Sequence, residues 1–85
     1  MVDPEELIPG TLVCLDARSG IRERYRRLMP WFRVTGARAT MLPRSHEYVW
    51  VTGVELDAQG RPLATVGWCF LRRVGITLVA LARRA

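Results

Sequence analysis

The chain has 85 residues, which suits one domain and leaves no room for two. Its composition is 49% hydrophobic and 25% charged, an ordinary globular balance that excludes a disordered chain. The formal charge of +5 permits contact with nucleic acid without requiring it.

All 13 basic residues are arginine, and both lysine and asparagine are absent. Arginine, alanine, glycine and proline have GC-rich codons, so the bias points to a GC-rich, bacterial genome. The arginine content therefore has two readings, codon bias or function. Its planar fork suits phosphates and carboxylates. The N-terminal residues are acidic and lack the apolar segment of a secretory signal. The longest strongly apolar uncharged stretch, residues 74–82, falls far short of the ~20 residues a spanning helix needs. Cys14 and Cys69 sit inside apolar runs, which reads as reduced, buried thiols in a cytoplasmic protein.

Residues 1–10 form a lead-in. Asp3 can cap a single helical turn with Pro4 at its first position, and Pro9-Gly10 makes a turn. Residues 11–16 are short and apolar enough to be a first, buried strand. Ser19-Gly20 breaks it. Residues 21–29 read as a short basic helix, because Ile21, Tyr25 and Leu28 fall on one face and Pro30 ends it. Residues 31–39 alternate as a strand, Phe32 and Val34 one way, Arg33 and Thr35 the other, with Gly36 marking a bulge or bend. Residues 41–47 connect it to a hairpin.

In that hairpin, residues 48–57 and 61–72 flank Ala58-Gln59-Gly60. A three-residue loop with glycine last is a type I turn followed by a bulge, in which the glycine takes a left-handed conformation. The implied register sets Asp57 against Arg61, Leu56 against Pro62, Thr52 against Val66, Trp50 against Trp68 and Tyr48 against Phe70. After a break at residues 72–75, residues 76–82 read as a last strand, with a short helix over 78–84 as the alternative. Residues 83–85 are expected to fray.

Five short strands with one basic helix between the first two give an all-β or mostly β domain over residues 11–82. The pattern resembles a small, partly open five-stranded SH3-like barrel, of the kind also seen in KOW-like and Tudor-like domains. The resemblance spans most of the chain and rests on the order of elements, including the single-turn break before the last strand.

Catalytic chemistry finds little support, and the chain is expected not to be an enzyme. The sole histidine, His46, lies in a connector beside Glu47, and there is no nucleophile elbow, paired carboxylate spacing or glycine-rich phosphate loop. Cys14, Cys69 and His46 lack the paired spacing of a zinc site, so no metal or other cofactor is expected, and no small-molecule substrate is inferred. The aromatic ladder of Tyr48, Trp50, Trp68 and Phe70 has two functional readings, a stacking platform for bases or a cage for a methylated cation. Its face also carries Val54, Leu56, Ala64 and Val66, with only Thr52 polar, whereas the other carries Val49, Val51, Gly53, Glu55, Thr65 and Gly67. The ladder is therefore assigned to the core.

The strongest functional cue is the crowd of arginines at Arg18, Arg22, Arg24, Arg26 and Arg27. A basic helix over a small barrel would lie along a phosphate backbone. The competing reading is a solvated face. The sequence thus points to a small non-catalytic nucleic-acid-associated protein, a regulator or accessory subunit with DNA or RNA as partner. The alternative is a protein-interaction module or homodimer subunit. A membrane-surface role is disfavoured, since so short a helix needs its apolar face for packing.

Overall fold

The structure, a computed structural model, describes residues 1–19, 22–23, 26–27, 29–39 and 47–82. Its strands are β1 (Leu12–Leu15), β2 (Arg22–Glu23), β3 (Arg26–Arg27), β4 (Trp31–Ala39), β5 (Tyr48–Leu56), β6 (Pro62–Arg72) and β7 (Ile76–Ala80). Five of them build one antiparallel sheet in the order β6-β5-β4-β1-β7, and β2 pairs with β3 in a separate short ladder. The sheet does not close, so β6 and β7 are its edges. Single 3₁₀ turns stand at Pro4–Glu6, Ala17–Ser19 and Arg73–Gly75.

The lead-in folds as expected and goes further. Asp3 caps its turn in a reciprocal capping box with Glu6. Val2 and Leu7 then enter the core. Thr11, fully buried, donates its hydroxyl to the Glu6 carbonyl and accepts the Ala82 amide, tying both ends of the chain to β1. Strands β1, β4 and β7 fall where the residue pattern places them. The segment from 78 to 82 continues and leaves β7 without a helical turn.

The basic helix expected over residues 21–29 is not formed. Where that segment is described it is the hairpin β2–β3, with Arg22 opposite Arg27 and Glu23 opposite Arg26. The reason is tertiary. β1 and β4 pair antiparallel through Leu12–Arg33, Val13–Phe32 and Cys14–Trp31, and the Leu15 amide donates to the Pro30 carbonyl. Those contacts set the two ends of the intervening segment side by side. An out-and-back hairpin meets that demand, whereas a helix of that length would carry the chain about 13 Å away. A helix so short has little stability of its own to resist.

The β5–β6 turn forms as read. Gly60 has φ +82°, its amide donates to the Asp57 carbonyl, and the Asp57 amide donates to the Arg61 carbonyl. Asp57 also accepts the Gln59 and Arg61 amides and the Arg61 Nε through its carboxylate. Leu56 faces Pro62. Further in, the expected register fails. The ladder shifts once between Glu55 and Leu56, where Leu63 is extra, and again between Val51 and Gly53, where Thr52 meets both Gly67 and Trp68. Trp50 therefore faces Phe70 instead of Trp68, and Tyr48 faces Arg72 instead of Phe70.

These bulges also decide the core. The buried residues of β5 are Val49, Val51, Gly53 and Glu55 on the core side and Leu56 at its end, outside the core cluster, and β6 turns Val66 and Leu71 to the core side. Phe32 and Val34 of β4, Val13 and Leu15 of β1 and Ile76 of β7 complete that side. The assignment of the aromatic ladder to the core is thus overturned. Tyr48, Trp50, Trp68 and Phe70 lie on the opposite, outer side, where Trp68 is 47% exposed. A third bulge, at Thr35 between Val34 and Gly36, bears out the bend read from Gly36. Bulges bend the strands that carry them, and these two stand side by side around Thr52.

Candidate nucleic-acid interface

The described arginines among those singled out by their crowding in sequence fall in two places. Arg18 lies exposed in the Ala17–Ser19 turn, engaged with Asp16 through Nη2 at 2.9 Å and Nε at 3.2 and 3.3 Å. Its side-chain hydrogen bond holds the Asp16 carboxyl below the ordinary carboxylate range. A cation already forked onto a carboxylate has less to offer a phosphate. Arg22, Arg26 and Arg27 belong to β2 and β3, while Arg24 lies outside the described residues, as does His46.

A second group of arginines lies on the outer side of the sheet, and their spacing in sequence does not single them out. Arg33 and Arg38 project from β4, and Arg72 ends β6. Arg38 stands opposite Trp50, which in turn stands opposite Phe70, so one row runs from cation to ring to ring across three strands. The Arg38 guanidinium carbon lies 4.9 Å from the centroid of the Trp68 ring. That of Arg72 lies 5.8 Å from the Tyr48 ring, and its Nε donates to the Tyr48 hydroxyl at 3.2 Å. The hydrogen bond favours the charged guanidinium and raises its pKa further.

The rings support one another. Trp50 and Phe70 have centroids 3.7 Å apart, and Tyr48 meets Phe70 edge-on at 6.4 Å. Trp68 lies beside the bare backbone of Gly36, where an added Cβ would stand 3.4 Å from Cη2. Thr35 and Thr52 share a hydroxyl hydrogen bond of 2.6 Å in the same bulged zone. Arg33, Arg38 and Arg72 form no ion pair with a described residue. The signal for this face is present in the glycines. Gly36 marks one bulge in the sequence, and Gly67, the partner that turns Trp68 outward, marks another where alternation alone reads an ordinary strand residue.

Glu55 is the polar residue of β5 that lies on the buried side. A carboxylate signals an outward face, yet this one is only 1% exposed. Its Oε2 accepts the Met29 amide at 2.7 Å and so fixes the chain where it enters β4. A hydrogen-bonded carboxylate is tolerated inside a protein where a bare one is not. The thiols also differ from expectation, because Cys14 and Cys69, which form no disulfide, are only half-buried.

An open groove of about 320 Å³ lies further along the outer side, lined by Leu12, Trp31, Arg33, Leu56 and the Asp57–Gly60 turn. Among the described residues, no three His, Cys, Asp or Glu side chains gather as a metal site. No described helix is long and apolar enough to cross a membrane. No protein-family model matches the chain, and no curated protein or solved structure is significantly similar to it.

Proposed function

We propose that this is a small non-catalytic nucleic-acid-associated protein that grips phosphates through arginine. The observation that carries the reading is the outer sheet side, where Arg33, Arg38 and Arg72 form no ion pair with a described residue, Glu47 acting on Arg72 only from beyond that reach, and two of them lie over aromatic rings. The hairpin strands add Arg22, Arg26 and Arg27, in a register that sets Arg22 directly opposite Arg27. Like charges at directly opposite positions are unfavourable by themselves, and an anion relieves them. The net charge of +5 works in the same direction at long range.

The fold itself is proposed to be a partly open SH3-like barrel. The strand order β6-β5-β4-β1-β7 supports this, with β2–β3 as an excursion between the first two long strands and a 3₁₀ turn leading into β7. A second reading, docking of another protein or a second copy, is favoured by the exposed Trp68, Leu63, Val79 and Leu81.

The test is a titration with labelled single-stranded and duplex oligonucleotides across a salt series. Each neutralised phosphate contributes a slope of about −0.9 on duplex and −0.7 on single strands to log affinity against log salt. Binding is expected at low salt, weakening as salt rises, and the double change Arg22→Ala with Arg24→Ala is expected to flatten the slope by up to about two units on duplex. Absence of binding at low salt sinks the reading and leaves protein docking.

A further inference from the structure

We infer that the outer side of the β4–β5–β6 sheet is a stacking platform for a single-stranded nucleic acid, with Trp68 and the Trp50–Phe70 pair taking bases and Arg38 and Arg72 taking phosphates. This rests on the phosphate-binding reading and names the substrate class that the sheet side would take.

Three observations carry it. The first is exposure. Trp68 is left 47% exposed on the side opposite the core, while the same two strands turn Val49, Val51, Val66 and Leu71 inward. The bulge at Gly67 and Trp68 turns the ring out, and bulges re-aim side chains at functional places. The second is rigidity. Trp50 packs on Phe70, Tyr48 meets Phe70 edge-on, and the strands hold them in a ladder. Rings fixed beforehand lose little freedom when a base stacks on them. The third is charge. Arg38 and Arg72 rest beside the rings, with their charge unneutralised by any described carboxylate within ion-pair reach. An aromatic surface edged by unpaired arginine matches a base flanked by phosphates. A purely apolar partner surface would have to desolvate those guanidinium groups without return.

Strand geometry sets the scale. Tyr48 to Thr52 spans about 13 Å along β5 at 3.3 Å per residue. That suits two or three stacked bases, as other sheet platforms with aromatic side chains hold. Stacking is tolerant of sequence, because every base has a π face. Bases stacked inside a duplex cannot reach these rings, so single strands should bind better than the same sequence paired.

The experiment measures fluorescence anisotropy of labelled oligo-dT, oligo-U and a duplex of equal length against the intact protein and three variants, with circular dichroism checking each fold. Trp68→Ala is expected to weaken single-strand binding about tenfold with the salt slope unchanged, since a lost ring removes no charge. Trp68→Phe should recover most of that loss. Arg38→Ala should flatten the slope by about 0.7 on single strands. The dT and U arms separate DNA from RNA as the bound strand. If single strand and duplex bind alike and Trp68→Ala changes nothing while the salt slope persists, the platform is overturned and phosphate binding by arginine stands. If nothing binds at low salt, both are overturned. Self-association that is lost in Trp68→Ala and not displaced by oligo-dT assigns the sheet side to a second copy and overturns the platform.

Discussion

Gly53 and Gly67 are both strand glycines near one bulge, yet replacing them by alanine should have opposite outcomes. Neither has a positive φ, so the backbone accepts a side chain at both. Space decides. A Cβ on Gly53 would run into the Arg33 carbonyl and the Phe32 ring, while a Cβ on Gly67 would meet nothing within 4 Å. Phe32 is fully buried and cannot swing away, and the Arg33 carbonyl belongs to the backbone of the neighbouring strand. Overpacking of a filled core costs about 1–3 kcal/mol, and an obstacle made of backbone puts Gly53→Ala at the upper end, about 3 kcal/mol. For 85 residues the whole stability is about 4–13 kcal/mol. The melting point should fall by about 12–24 °C. Gly67→Ala should be neutral or stabilising by up to about 1 kcal/mol, through the unfolded state. Urea melts followed by tryptophan fluorescence compare the two. A loss below about 1 kcal/mol at Gly53, or an equal loss at Gly67, refutes the packing argument.

Replacing Glu55 by Ala removes the acceptor of the Met29 amide, a charge-assisted bond worth about 1.5–3 kcal/mol, and opens a hole in the core; Glu55→Gln keeps an acceptor and should lose less, as denaturant melts will read. Thr11→Val keeps the shape but drops the hydroxyl between Glu6 and Ala82, so about 1–2 kcal/mol should go, with faster amide exchange at Ala82. Asp57 is held below its ordinary pKa chiefly by the Arg61 amide, then by the Gln59 amide and the Arg61 side chain, and Asp16 chiefly by the Arg18 side chain. A carboxyl depressed on folding stabilises above its unfolded pKa near 3.9 and loses that contribution as pH falls through the folded value. These two groups should therefore leave stability flat from pH 7 to about 5 and contribute to its decline only below about pH 4, which carboxyl chemical shifts followed through an acid titration will show.

Most of the fold is legible in the sequence because short-range chemistry fixes it. Alternation places β4 to the residue, and Ala58-Gln59-Gly60 fixes the turn and the first pair beyond it. The errors come from two terms that no local window contains. Residues 21–29 have a helical face, but the pairing of β1 with β4 imposes a return path. A β5–β6 register extrapolated from its turn misses the bulges, and each single-residue bulge moves every later side chain relative to its partner strand. The candidate site inherits both errors. They put its arginines on a helix and its aromatic rings inside.

The exposure of those rings follows from which side of the sheet the described residues cover. A sheet has two sides, and covering both requires a second layer. Here the lead-in supplies Val2 and Leu7 to one side only, and the Arg73 Nε pins that lead-in by donating to the Val2 carbonyl at 2.8 Å. Among the described residues that lid closes the side of β5 that carries Val49, Val51 and Gly53. Val49 and Val51 share one core cluster with Phe32, against which Gly53 lies directly, so that this side takes little volume and few rotamers, and the burial of Glu55 there is offset by the Met29 amide. Trp50, Tyr48, Trp68 and Phe70 are too bulky for that tight layer, where even a methyl at Gly53 does not fit. They gain instead from one another and from Arg38 and Arg72, contacts that survive in water. The polar count of each side, the basis for placing the rings inside, weighs solvation alone. Volume outweighs it, and among the described residues it leaves an aromatic, arginine-edged surface on the side opposite the core.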